Sequence, residues 1–387
     1  MKNIISKVTA PLLVQVFLFI LINAFYVIKY VSRVESINMI SVLIVYIVSM
    51  LFYIGLYHYF SNRWSVKLFK IGFWIILISA VIAIIAALVY IDPYSVKVDR
   101  WSAVVFWLDG LFNGEYPYGI HTHVSETNYS SPFPFWYVLS LPFYLLGDVG
   151  IGLIFFLVVT ALTVKCFFDS YKKAFLFLSL LLLSPAYWWE VLVRSDSLSN
   201  AFLVFIIILY ITKKEFQLQN KVVFTAIICG LIACTRLSAI LPLTLFFFKP
   251  FMQINWKSKL LFLSIIIGIC FLIFSPFVFW DTQNWIFFSR NPFMSQGDPN
   301  NPYILAVFIV IGIIFSYSWK NMNQYFSITS CFLFLFLIPF EVTPFFDGET
   351  SLAVENLYDM SYFTLIFPYC LAFISDTWVI EQEDKHI

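Results

Sequence analysis

Asp99 and Arg100 stand side by side shortly after a long apolar run, and they open a loop dense in groups that move protons or hold anions. The stretch 92–132 carries Asp92, Asp99, Asp109, Glu115 and Glu126, together with His121 and His123. A carboxylate in such a place can accept the proton of an attacking hydroxyl. Cations at the same depth can stabilise the charge that develops on a departing phosphate. Five of the six arginines, Arg33, Arg100, Arg194, Arg236 and Arg290, fall in loops or at run ends on the side that the charge pattern assigns as outer. Arginine binds phosphate oxygens in pairs and tolerates partial burial better than lysine does. This distribution points to a phosphate held at a membrane surface, with Arg100, Arg194, Arg236 and Arg290 as its candidate ligands. Two other readings stay open: each arginine pairs with a neighbouring acid, such as Glu190 or Asp196 beside Arg194, and Asp99 merely caps the helix that follows it.

Further candidates lie around this set. Arg194-Ser195-Asp196 opens an apolar run, so that Asp196 either caps a helix with Ser197 or meets substrate. Arg236 falls between two short apolar runs, where an unpaired charge would be costly. His121, Thr122 and His123 would place both imidazoles on one side of an extended loop, with Glu126 as a third group. That set is open to substrate hydrogen bonding, to a metal or to an ordinary loop role, but its spacing matches no standard metal site. No cofactor is expected, and a divalent metal stays open. Tyr129, and Tyr358 and Tyr362 near a late acidic loop, offer rings for stacking on a sugar.

The elements that must position these residues are membrane helices. The chain is 61% hydrophobic and 12% charged, about half the charge that a water-soluble domain carries. Its apolar residues come in runs long enough to cross about 30 Å of hydrocarbon as helix. Spans are expected near 10–29, 39–60, 69–91, 148–168, 174–191, 197–212, 221–235, 237–249, 258–280, 303–319, 324–341 and 361–376. The segment 133–146 is too short to span and is expected at the interface. With the N-terminus inside and that segment not crossing, most lysines fall on the inner side, as the positive-inside rule requires. Both termini are then cytoplasmic, with large outer loops at 92–132, 281–302 and 342–360. Trp101, Val104, Val105, Leu108 and Phe112 recur at helical spacing, and Asn113-Gly114 supplies a stop. An amphipathic helix lying on the outer surface is therefore expected. The first run, Pro11 to Ile28, reads as a signal-anchor rather than a cleaved leader. The six cysteines, all in or beside apolar runs, read as small buried hydrophobes.

The stretch from Val98 to Leu146 resembles the first-loop signature of the GT-C superfamily of membrane glycosyltransferases. It is most similar to the bacterial polyprenol-phosphate-mannose-dependent mannosyltransferases. The matching residues are Asp99, then Phe106-Trp107, then Gly114-Glu115-Tyr116-Pro117-Tyr118, then Tyr129-Ser130-Ser131-Pro132-Phe133-Pro134. Two features depart from the pattern: three runs rather than one precede the loop, and serines interrupt the Tyr-Pro-Pro element. The resemblance implies an all-α, polytopic bundle of about 12 spans. It also implies a catalytic base at Asp99 and an inverting transfer of a mannose-like hexose from a polyprenyl-phosphate donor to a lipid- or glycan-linked acceptor. The implied setting is the outer face of a bacterial inner membrane. On this reading residues 1–91 form three N-terminal spans, 92–147 the catalytic loop, 148–376 the main bundle and 377–387 a cytoplasmic tail. A flippase or transporter of lipid-linked saccharides, or a polysaccharide polymerase, is the alternative. The near absence of charge at span centres counts against transport. Partners are the donor, the acceptor and membrane lipids, with no nucleic acid.

Overall fold

The computed structural model describes residues 9–287, 290–296, 302–346 and 360–379. In chain order its helices begin with α1 (Ala10–Val31), α2 (Met39–Ser61), α3 (Val66–Tyr90), α4 (Arg100–Asn113) and α5 (Pro134–Leu145). Then come α6 (Ile151–Phe168), α7 (Tyr171–Leu182), α8 (Pro185–Leu192), α9 (Asp196–Lys213), α10 (Val222–Ala233) and α11 (Ile240–Gln253). The series ends with α12 (Trp256–Trp280), α13 (Pro292–Gln296), α14 (Pro302–Ser318), α15 (Met322–Phe346) and α16 (Phe367–Trp378). Among the described residues the extended pairing is one isolated bridge, between His121 and Tyr129. The all-helical architecture expected from composition is the one found.

Among the described residues seven helices are long and apolar enough to cross a membrane: α1, α2, α3, α6, α9, α12 and, within α15, Met322–Pro339. At 25 residues, α12 is about 37 Å long, which exceeds the hydrocarbon core. Its side chains face outward in a stripe: Ile267 and Phe271 are each 66% exposed. Leu263 on α12, Ile44, Val48 and Phe52 on α2, and Ile71, Ile75 and Ile82 on α3 are likewise exposed. Contiguous apolar faces of that extent are untenable in water and are the normal lipid face of a membrane helix. The chain is an integral, multi-pass membrane protein.

The dozen full spans expected from the apolar runs do not all form. The run 174–191 is broken into α7 and α8, bent by 65° just ahead of Pro185, which bars the preceding residue from helical geometry. Polar groups at the break find partners on α1 and across the break itself. Ser184 Oγ donates to Asn23 Oδ1 at 2.5 Å, Ala186 N to the same oxygen at 3.2 Å, and Trp188 Nε1 to Leu182 O at 2.7 Å. The runs 221–235 and 237–249 form α10 and α11, of 12 and 14 residues. At about 18 and 21 Å each falls short of the hydrocarbon thickness. The last run forms a 3₁₀ turn, Met360–Ile366, followed by the 12-residue α16. The segment 133–146 forms α5, also of 12 residues, which agrees with its expected failure to span.

The chain divides into two compact units, each assembled from separated stretches of chain. One contains residues 1–82, 158–189 and 319–387; the other contains 83–157 and 190–318. In the first, α16 packs against α1, α7 and α15. A buried polar node fastens three of these helices: Ser330 Oγ donates to Gln15 Oε1 at 2.6 Å, Gln15 Nε2 reaches Ser327 Oγ at 3.2 Å, and Cys370 Sγ donates to Gln15 O at 3.1 Å. Such hydrogen bonds hold helices together where lipid removes the usual hydrophobic drive. In the second unit α10 packs along α12, α11 along α14, and α4 against α5. The candidates from Asp99 to Arg290 lie in this second unit, whereas Tyr362 lies in the first; Tyr358 lies outside the described residues.

Candidate functional site

The second unit arranges the candidate residues around α4 and the loop that follows it. Asp99 occupies the N-cap of α4 with φ −84° and ψ 1°, and its side chain makes no cap hydrogen bond. Among the described residues nothing donates to its carboxylate, and it is half-buried. The buried face of α4 consists of Arg100, Ala103, Val104, Trp107 and Leu108. Of the residues expected on its membrane-facing stripe, Val104 and Leu108 are buried in the protein, Trp101 and Val105 are half-buried and Phe112 is 59% exposed. Trp107 turns inward to stack on Tyr137 of α5 with centroids 3.8 Å apart. The stop is as read: Gly114 closes the helix in the left-handed region, φ +74°, where glycine is favoured.

The loop after α4 is held by its own side chains. His123 packs against α4 through Nδ1 and Ser102 Oγ at 2.6 Å, and its Nε2 stands 3.2 Å from Val96 O. Both ring nitrogens therefore have partners within the fold. His121 and Glu126 are exposed. Among the described residues no three His, Cys, Asp or Glu side chains gather as a metal site, so the set His121, His123 and Glu126 does not assemble. Ser130 Oγ donates to Ala103 O, and Phe133 and Phe135 donate their backbone N–H groups to Thr235 O at 2.9 Å and Cys234 O at 3.0 Å. Asp109 accepts from Tyr144 Oη at 2.5 Å; that hydrogen bond holds the Tyr144 hydroxyl above its ordinary pKa and ties α4 to α5.

Two arginines read as phosphate ligands turn out to be committed to the scaffold. Arg236 meets Asp196 as a two-pronged pair, Nε to Oδ2 at 2.5 Å and Nη2 to Oδ1 at 2.7 Å, with side chains 1% and 5% exposed. Neither residue is positioned as an open ligand. Arg194 takes a left-handed backbone, φ +51°, and sends Nε to Asp148 Oδ2 at 2.8 Å and Nη2 to Leu88 O and Ile91 O at 2.9 and 3.0 Å. That bond set holds the end of α3 and the turn before α6 together and offsets the strain of the backbone. A Cβ at Gly150 would stand 2.5 Å from a Leu88 methyl and 3.1 Å from Arg194 Cγ, so a side chain there has to displace Leu88 and crowd Arg194. Ser195, not Asp196 or Ser197, caps α9. A small crevice lined by Val104, Ser140, Arg194, Ser195, Asp196 and Ser199, among others, lies beside both ion pairs.

Arg290 is placed differently. Its guanidinium lies over the Tyr129 ring, 4.9 Å from the centroid, and it is half-buried. Close by in sequence, Asp281 accepts from Asn284 N at 2.9 Å and Asn284 Nδ2 at 2.6 Å. These bonds, aided by Arg290, hold its carboxyl below the usual range. Asp281 in turn adds to the burial that raises the Tyr116 hydroxyl. Asp148 and Asp281 were absent from the sequence reading. Asp281 follows directly on the Trp280 that ends a long apolar run, which was a usable signal; Asp148 had none, because its partner is 46 positions away.

No family model, curated protein or solved structure matches the chain.

Proposed function

We propose that this membrane protein is an inverting glycosyltransferase that moves a hexose from a polyprenyl-phosphate donor to a hydroxyl of a lipid- or glycan-linked acceptor, at the outer face of the membrane. The observation that carries the reading is the state of Asp99: half-buried, at the start of α4, with a carboxylate used by no cap or ion pair among the described residues. The neighbouring aspartates are spent on the fold, Asp92 on Tyr94 N, Asp109 on Tyr144, Asp148 on Arg194 and Asp196 on Arg236. The resemblance of 98–146 to the first loop of GT-C enzymes puts the base at the same residue.

In this reaction Asp99 takes the proton of the acceptor hydroxyl as its oxygen attacks the anomeric carbon opposite the phosphate. The C–O bond to phosphate breaks with its electron pair, and polyprenyl phosphate leaves; a single displacement inverts the anomeric centre. Arg290, whose guanidinium lies over the Tyr129 ring and whose charge also reaches Asp281, is the arginine we assign to the departing phosphate. Arg100 sits in the first turn of α4, next to the base. Arg194 and Arg236 serve the scaffold, as the geometry of their ion pairs supports. Twelve crossings with both termini cytoplasmic remain the topology we favour, with the shorter helices paired into composite spans.

The test is a panel of polyprenyl-phosphate hexoses offered with candidate acceptor lipids to membranes containing the protein. Release of free polyprenyl phosphate is followed by mass spectrometry and the anomeric configuration of the product by NMR. The proposal expects release from one donor, with inversion. A product of retained configuration would contradict the single displacement, and absence of release with every donor and acceptor would contradict the transfer.

A further inference from the structure

Cys234 is the C-cap residue of α10 and is fully buried, and Cys270 lies half-buried on α12. Their sulfurs are 3.6 Å apart, although the residues are 36 positions apart in the chain. The contact is set by the backbones: a Cβ at Gly230 would stand 3.1 Å from two side-chain atoms of Ile269, so a glycine on α10 brings the helices together one turn before the cysteines meet. A disulfide needs an S–S distance of about 2.05 Å, so side-chain rotation has to close about 1.5 Å.

We propose that Cys234 and Cys270 form a reversible disulfide in response to hydroperoxides. Cys270, the more exposed thiol, reacts first: its sulfur attacks the O–O bond, giving a sulfenic acid and releasing the alcohol. The buried Cys234 sulfur then attacks the sulfenic sulfur and expels water. In sum two thiols and one hydroperoxide become one disulfide, one alcohol and one water. A hydroperoxide fits because it is small, uncharged and soluble in the apolar surroundings of α12. The cross-link lands at a junction: the Cys234 and Thr235 carbonyls hold the chain entering α5, and the Thr235 hydroxyl accepts from Asn200 Nδ2 at 2.8 Å. Oxidation therefore pins this junction to α12.

The experiment treats native membranes and purified protein in detergent with tert-butyl hydroperoxide, alkylates remaining thiols after denaturation, and maps them by tandem mass spectrometry. The expected result is a Cys234–Cys270 cross-linked peptide, reversed by dithiothreitol and accompanied by a higher Tm. In Cys234→Ser, dimedone should instead trap a sulfenic acid at Cys270. Exposed Cys166 serves as the internal oxidation control. If Cys166 is oxidised while Cys234 and Cys270 both stay alkylatable, or if Cys270 advances to sulfinic acid without cross-linking in the wild type, the proposal is overturned.

Discussion

At Asp99 the backbone and the side chain have different partners. The residue holds the N-cap position of α4 and its carbonyl accepts from Ala103 N at 2.8 Å, but its carboxylate caps nothing. Asp99→Asn should therefore leave thermal stability within about 0.5 kcal/mol of wild type while turnover falls by roughly 10²–10⁴. Unfolding and release assays on the same preparation check both. The buried pair behaves in the opposite way. Arg236→Ala strands the Asp196 carboxylate in an apolar interior and should cost about 3–5 kcal/mol, read as loss of folded protein in detergent. Arg290→Ala removes a ring contact at a half-exposed site, so folding should persist while the donor KM rises. The sequence showed where the arginines cluster but not what they do. Their partners are 40 and 46 positions away, and only local acids such as Glu190 could be weighed from spacing.

The helices illustrate what periodicity conveys and what it omits. The α4 stop and the short α5 follow from Gly114 and from the length of the apolar segment, and both were legible. Which face of α4 packs on the protein was not, because apolar residues occur around most of its circumference and the Trp107–Tyr137 stack decides which face turns inward. The break between α7 and α8 had a local signal in Pro185, hidden by the unbroken hydrophobicity on either side of it. The turn at Gly150 is the tightest test of this layer. Gly150→Ala should push Leu88 and Arg194 apart and destabilise by about 1–3 kcal/mol, measured as a lower Tm. Unchanged stability would mean that the Arg194–Asp148 latch does not hold the ends of α3 and α6.

For the whole molecule, composition alone fixed the solvent: a chain with this little charge and this much outward-facing apolar surface belongs in lipid. Among the described residues seven of the twelve expected crossings are met by one full-length helix each, since a hydropathy run measures apolar length and not whether a helix stays straight or continuous. The lipid face of α12 can be checked directly. Ile267→Arg should raise the cost of inserting that helix by about 3 kcal/mol and lower the membrane-inserted fraction in a translocation assay. An inserted fraction equal to wild type would mean that this face meets protein or water instead. The division into two compact units, each assembled from separated stretches of chain, had no counterpart in the sequence, because nothing local marks a helix whose two ends belong to different units.

The central claim, a transferase with Asp99 as its base, is tested most directly by comparing wild type and Asp99→Asn in equal amounts of folded membrane protein. Both are given the polyprenyl-phosphate hexose that the wild type uses and its acceptor, with released polyprenyl phosphate as the readout. The account predicts release by the wild type and a fall of at least about 100-fold in the variant, with unchanged thermal stability. Release by Asp99→Asn at the wild-type rate would contradict it.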